Sequence, residues 1–133
     1  METKKQVRPL RKILPIIPLK KELLNKKMAI SLRKQIEIID LDHILYLKSD
    51  SNYTEIHLKG GKKIVSSITL KRYVNKLSSD RFIRVHQSYL INKSSISSYL
   101  TNQNKVVLHN SQEIPVSNSK KDGLLKYLKT LMV

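Results

Sequence analysis

Between Arg81 and Asn92, apolar side chains fall at every second position: Ile83, Val85, Tyr89 and Ile91. That period belongs to a β-strand with one buried face. Gln87 stands where the series calls for another apolar group, with His86 and Ser88 on either side. A buried amide without partners would cost about 1–3 kcal/mol. The strand is therefore expected to break at His86-Gln87-Ser88, with a short polar tip facing outward. Arg81 and Arg84 precede the tip and Lys93 follows it. A polar tip carried on buried strands and flanked by positive charge suits reading an anionic polymer.

Short strands recur along the chain. Candidates are Met28–Leu32, Ile36–Ile39, Ile44–Lys48, Tyr53–Leu58 and Lys62–Ser66, then Phe82–His86, Ser88–Asn92, Ile96–Leu100, Lys105–His109 and Glu113–Val116. Gly60-Gly61 supplies the positive φ that a two-residue hairpin turn wants. Leu70, Tyr73, Val74 and Leu77 fall at helical spacing and predict a short amphipathic helix. A second helix follows Ser117-Asn118-Ser119, with Ser119 and Asp122 as a capping pair and Leu124, Leu125, Leu128 and Leu131 as its buried stripe. Asp40 and Asp42 straddle a turn and are expected to cap it. The fold class is mainly β: small antiparallel sheets with one short internal helix and a C-terminal helix.

The chain's 133 residues make about one domain. Its 26 Lys and Arg against 10 Asp and Glu give a net charge of +16. Such an excess opposes compaction by self-repulsion and points to a polyanionic partner, nucleic acid first and anionic membrane second. Residues 1–29 alone hold nine basic and two acidic groups. Pro9, Pro15 and Pro18 forbid a continuous helix there, so residues 1–27 are expected to form a basic arm ahead of a domain over 28–133. Such an arm fits either a phosphate backbone or plain solvation. Cysteine is absent, which excludes disulfides and thiolate metal sites. No apolar run approaches the ~18–20 residues of a membrane span, and the expected location is cytoplasmic.

Catalytic patterns are missing. His43, His57, His86 and His109 show no metal-ligand spacing, and no nucleophile elbow or Gly-rich phosphate loop occurs. Neither enzyme activity nor a metal or cofactor is expected. Three polar clusters lie where strands or helices end: Ser49-Asp50-Ser51-Asn52, His86-Gln87-Ser88 and Ser117-Asn118-Ser119. Each fits a turn or a cap. Each also holds an amide beside hydroxyls, and amides pair with the N6/N7 edge of adenine while hydroxyls suit phosphate oxygens.

The runs Ile44-Leu45-Tyr46-Leu47, Ser51-Asn52-Tyr53-Thr54, Ser67-Ile68-Thr69-Leu70, Phe82 through Asn92 and Ile114-Pro115-Val116-Ser117 resemble, in order and spacing, the LytTR DNA-binding domain of bacterial response regulators. The resemblance covers about residues 28–130. It implies an elongated fold of small antiparallel sheets that binds double-stranded promoter DNA through loops and bends it. Carried over by position, base reading falls on Asn52, Gln87 and Asn118. Backbone contacts fall on Lys48, Tyr53, Arg84, His86, Ser88, Lys93, Lys120 and Lys121. Arg84 has a second reading as a brace of the fold, His86 as a residue that orients its loop, and Tyr53 as core. Asn118 stands where the family usually has a basic residue. Family members typically carry a receiver domain and often occupy adjacent sites as two copies; here the 27 residues ahead of the domain are too few for one, which implies a stand-alone regulator. Two rivals stay open: an RNA-binding module, and a protein-interaction or membrane-surface adaptor.

Overall fold

A computed structural model describes residues 26–133, so the expected arm lies outside the described residues except at its last two positions. Strand β1 (Lys27–Ser31) pairs with β2 (Ile36–Asp40) as an antiparallel hairpin. Strands β3 (Ile44–Asp50), β4 (Tyr53–Leu58), β5 (Lys63–Ser66), β6 (Phe82–His86) and β7 (Tyr89–Asn92) form an antiparallel sheet in the order β5-β4-β3-β7-β6. Strands β8 (Ile96–Leu100), β9 (Lys105–Leu108) and β10 (Glu113–Pro115) form a third sheet in the order β10-β9-β8. Helix α1 (Leu70–Lys76) follows β5, and α2 (Asn118–Lys129) follows β10. The expected class is what the structure has: mostly β, in small antiparallel sheets, with one internal helix and one near the C-terminus.

The five-stranded sheet separates two cores. On one face Ile44, Leu47, Ile56, Phe82 and Leu90 pack with Met28 and Ile30 of the β1–β2 hairpin and with Leu70 and Tyr73 of α1. On the other, Leu45, Tyr46, Val85 and Ile91 pack with Val106, Leu108, Ile114 and Leu124. Strand β3 serves both cores, which is why Ile44-Leu45-Tyr46-Leu47 is apolar without interruption. A register shift between Ile44 and Tyr46 turns Leu45 and Tyr46 to the second core together. Strand β4, outside the second core, shows plain alternation: Thr54, Ile56 and Leu58 are buried, while Tyr53, Glu55 and His57 face away.

Buried polar side chains fasten the connections. Asn92 donates to the carbonyls of Leu41 (3.2 Å) and Ile44 (2.9 Å), and its Oδ1 accepts from the Ser94 amide (3.1 Å). The Tyr73 hydroxyl donates to buried Ser66 (2.6 Å), and Thr54 donates to the Ile68 carbonyl (2.7 Å). Those two bonds tie the start of α1 to the sheet. With their bonds made, these groups escape the cost of burial.

Several local expectations need correction. The β4–β5 turn spans Lys59–Gly61 rather than two residues; Gly60 and Gly61 both take positive φ, and Leu58 donates to the Lys62 carbonyl at 2.8 Å. Ser119 is not the cap of α2. Ser117 occupies that position, its carbonyl accepting from Lys120 and Lys121, and no side-chain cap bond forms. The helix ends at Lys129, which leaves Leu131 outside it and exposed. Asp40 and Asp42 do not cap their turn: Asp40 accepts from Lys27 (2.6 Å) and Asp42 from Arg81 (2.8 Å). The hydrogen bond and charge of Lys27 hold the Asp40 carboxyl below its ordinary range. Both pairs are too exposed to stabilise the fold by much.

Asn92→Ala leaves two buried carbonyls without their donor and should cost about 2–4 kcal/mol in urea denaturation, whereas Asn52→Ala on an exposed turn should stay within about 0.5 kcal/mol. A second expectation concerns acid. His57 bonds Glu55 at 2.9 Å, and that bond is the main reason the Glu55 carboxyl is held below its ordinary value, against the opposing effect of burial. A lowered carboxyl pKa contributes stability above the unfolded-state value, which disappears as pH falls through the folded value. Glu55→Gln should therefore flatten the acid limb of a stability–pH curve; an unaltered limb would mean that this pair contributes nothing.

Candidate nucleic-acid interface

The positions of the three polar clusters follow from backbone pairing. The β3–β4 turn holds Ser51 and Asn52 between Asp50 and its partner Tyr53; Ser51 takes positive φ. The β6–β7 turn holds Gln87 and Ser88 between His86 and its partner Tyr89. Tyr89 in turn pairs with Lys48 of β3, and the Ser49 amide donates to the Ser88 carbonyl at 2.9 Å. Both turns therefore stand at the same end of the central sheet. The β3–β4 hairpin runs two residue pairs past Lys48, roughly 7 Å further out. The third cluster joins them because the Ser117 amide donates to the Val85 carbonyl at 2.9 Å, which sets the start of α2 beside the end of β6. Asn52, Gln87 and Asn118 are all exposed there.

The β6–β7 turn is braced from within. The Arg84 guanidinium donates to the His86 carbonyl at 2.9 Å and to the Gln87 carbonyl. His86 Nδ1 accepts from the Ser88 amide at 3.0 Å, and its ring meets Tyr89 edge-on at 5.6 Å. Three turn groups thus bond to the strand that carries them, while the Gln87 amide points free. These bonds accord with the reading of Arg84 and His86 as residues that brace and orient the turn. Tyr53, half exposed at 53%, is not core.

Charge is distributed otherwise than sequence proximity suggests. Arg81 is engaged with Asp42. Lys93 lies beyond Asn92 at the other end of β7, its amide bonded to the Arg81 carbonyl and its ammonium 4.4 Å from the centre of the Tyr127 ring. The basic groups close to the three clusters are Arg84, Lys48, Lys120 and Lys121. Lys48 is half-buried, with its ammonium 5.8 Å from the Tyr89 ring centre, and Lys120 and Lys121 follow Asn118 on the first turn of α2. Asp50 places one acid beside Asn52.

A fourth polar turn belongs to this end. Asn104, at positive φ, closes the β8–β9 turn; its side chain donates to the Val116 carbonyl (2.9 Å) and its own carbonyl accepts from the Val116 amide (3.1 Å). The Tyr99 hydroxyl donates to Asn104 Oδ1. Asn102 and Gln103 are thereby exposed next to the Ser117 junction. Sequence reasoning marks this segment only as a turn. The available signal is the amide-rich run itself, since Asn tolerates the left-handed region.

Among the described residues no group of His, Cys, Asp or Glu could hold a metal ion, and no helix is long and apolar enough to cross a membrane.

The family model of the LytTr DNA-binding domain matches residues 34–129. The sensory transduction protein LytT of Oceanobacillus iheyensis is 28% identical over 107 residues, 77% of this chain and 44% of that protein. LytT of Bacillus subtilis is 28% identical over 105 residues, 77% of this chain and 43% of that protein. The CO-responsive transcriptional regulator RcoM of Rhodospirillum rubrum is 29% identical over 66 residues, 50% of this chain and 28% of that protein. The chain thus spans less than half the length of these curated relatives. A solved LytTr DNA-binding domain from a Bacillus cereus response regulator superposes with a TM-score of 0.67 at 20% identity, over 77% of this chain and 96% of that one. At that identity the likeness establishes the fold.

Replacing Arg84 tests the brace directly. In Arg84→Ala the carbonyls of His86 and Gln87 lose their donor, so the Ser88 amide should exchange with solvent about ten-fold faster or more by NMR. Unchanged exchange would show that the His86 bond alone holds the turn.

Proposed function

This chain belongs to the LytTr DNA-binding domain family, and from that premise we propose that it binds double-stranded DNA sequence-specifically as part of a bacterial transcription regulator. Asn52, Gln87 and Asn118 read base edges in the major groove, and the first turn of α2 grips phosphates through Lys120 and Lys121. Lys48, Tyr53 and Ser88 supply further backbone contacts. Arg84 and His86 act through the Gln87 turn as positioning residues. Lys93 stands apart from this set, at the far end of β7. The observation that carries the proposal is the exposure of three amides at one end of one sheet, held by backbone bonds to a common framework. The basic excess provides sequence-independent attraction, and the amides provide discrimination.

Amide chemistry sets the preference. Asn and Gln bond bidentately to adenine, whereas arginine prefers guanine. Selection of bound sites from a random duplex pool should return adenine at the read positions; guanine-dominated contacts would contradict the assignment. Gln87→Ala should cost about 1–3 kcal/mol on the selected duplex and little on random duplex. Equal losses on both would reduce Gln87 to a scaffold role. Lys120→Ala should weaken all duplexes alike and lower the salt slope by about one unit. The basic segment over residues 1–27 is proposed to add non-specific affinity, so its deletion should weaken random-duplex binding and leave the selected sequence unaltered.

A further inference from the structure

The described surface has a groove of about 680 Å³ between α1, the β6–β7 hairpin and α2. Its apolar side chains include Val74, Leu77 and Ile83, each partly exposed. Arg84, Lys93, Lys120 and Lys126 line it, and no acidic side chain does. The groove follows α2 from Ser119 to its C-cap Thr130, roughly 16 Å along the helix axis. It begins beside the Ser117–Val85 junction and leads away toward Lys93 and Tyr127.

Gly123 sits on this face, in the middle of α2. A mid-helix glycine weakens a helix. Internal packing does not call for one here, because a Cβ at Gly123 would meet nothing within 4 Å. The opening it leaves faces the groove. Lys93 is already held over Tyr127, so a carboxylate arriving there meets an ammonium whose side chain is partly ordered beforehand.

These features select among occupants. The groove is open along one side, so a small ligand would keep much of its surface in water. The chain's own first 29 residues carry net +7, and a second copy carries +16; both meet like charge. We propose that the groove is a docking site for an acidic segment of a partner protein that also bears apolar side chains. Its carboxylates pair with Lys93 and Lys126, its apolar groups lie on Val74, Leu77 and Ile83, and its backbone passes over Gly123. The groove adjoins the proposed DNA-contacting set at Arg84 and Lys120, but its carboxylate partners Lys93 and Lys126 lie outside that set, so failure of one assignment leaves the other standing.

The test uses the full chain and a synthetic peptide of about 16 residues, long enough to cover the groove as a helix, with Leu at i, i+3, i+4 spacing and Glu between. One twin replaces Glu by Lys, and another replaces Leu by Ser. Fluorescence anisotropy should show saturable binding of the first peptide, with both twins about ten-fold weaker or worse. Amide shifts should gather at Val74, Leu77, Gly123 and Tyr127. Gly123→Leu should abolish binding, and the double variant Lys93→Gln, Lys126→Gln should weaken it about ten-fold. Gly123→Ala should melt higher than the parent, since it restores helix propensity. If Gly123→Leu does not fold, the lysine double variant decides. Equal binding of the Glu-Ser twin would reveal mere attraction to a basic surface and overturn the proposal. So would shifts outside the groove, or absence of peptide binding alongside saturation by decanoate, which would assign the groove to a small anion.

Discussion

Strand β3 has no face turned to solvent along Ile44-Leu45-Tyr46-Leu47, and everything else is arranged around that constraint. Four consecutive apolar side chains must be covered from both sides. The β1–β2 hairpin and α1 cover one side, and the β8–β10 sheet and α2 the other. The register shift at Leu45 divides the side chains between the two cores. Each candidate contact element is attached to this strand or its neighbours. One turn grows from its end, the next is bonded to Ser49, and the start of α2 is bonded to Val85.

Amide side chains occur here in two opposite roles. Asn92 is buried and serves three backbone groups, and Asn104 closes a turn and ties it to Val116. Asn52, Gln87 and Asn118 carry the same chemistry in exposed positions. Residue type does not separate the roles; the availability of orphan backbone groups does. Where a 3-10 turn or a sheet junction leaves carbonyls buried, an amide is drawn in. Where the two-residue turn satisfies its own backbone, as Arg84 and His86 arrange around Gln87, the amide is left outside.

The elements themselves were largely foreseeable from periodicity. Alternation located β4 and the β6–β7 hairpin with its break at Gln87, and helical spacing located α1. Two-sided burial of β3 was not foreseeable, because an unbroken apolar run does not say what covers it. Local pattern also misplaced the cap of α2. The Ser119–Asp122 spacing imitates a capping pair, whereas the helix starts at Asn118 because Ser117 is bonded to Val85, a contact 32 residues distant in the chain. Leu131 continues the apolar spacing beyond Lys129, yet the helix has already ended and left it in water. Of the cations flanking Gln87 in sequence, Arg84 stays at the turn and the other two disperse in space. Extended chain carries Lys93 away from the turn, and Arg81 finds Asp42 across 39 residues.

The clamps at Ser49–Ser88 and Ser117–Val85 have a mechanical corollary. Main-chain bonds tie the Gln87 turn to β3 and the start of α2 to β6, so the central sheet sets the separations among the exposed tips like a ruler. Under the proposed function, a duplex whose grooves do not match that ruler has itself to supply the deformation. Its stiffness, including that of steps no side chain touches, then enters the free energy of the complex.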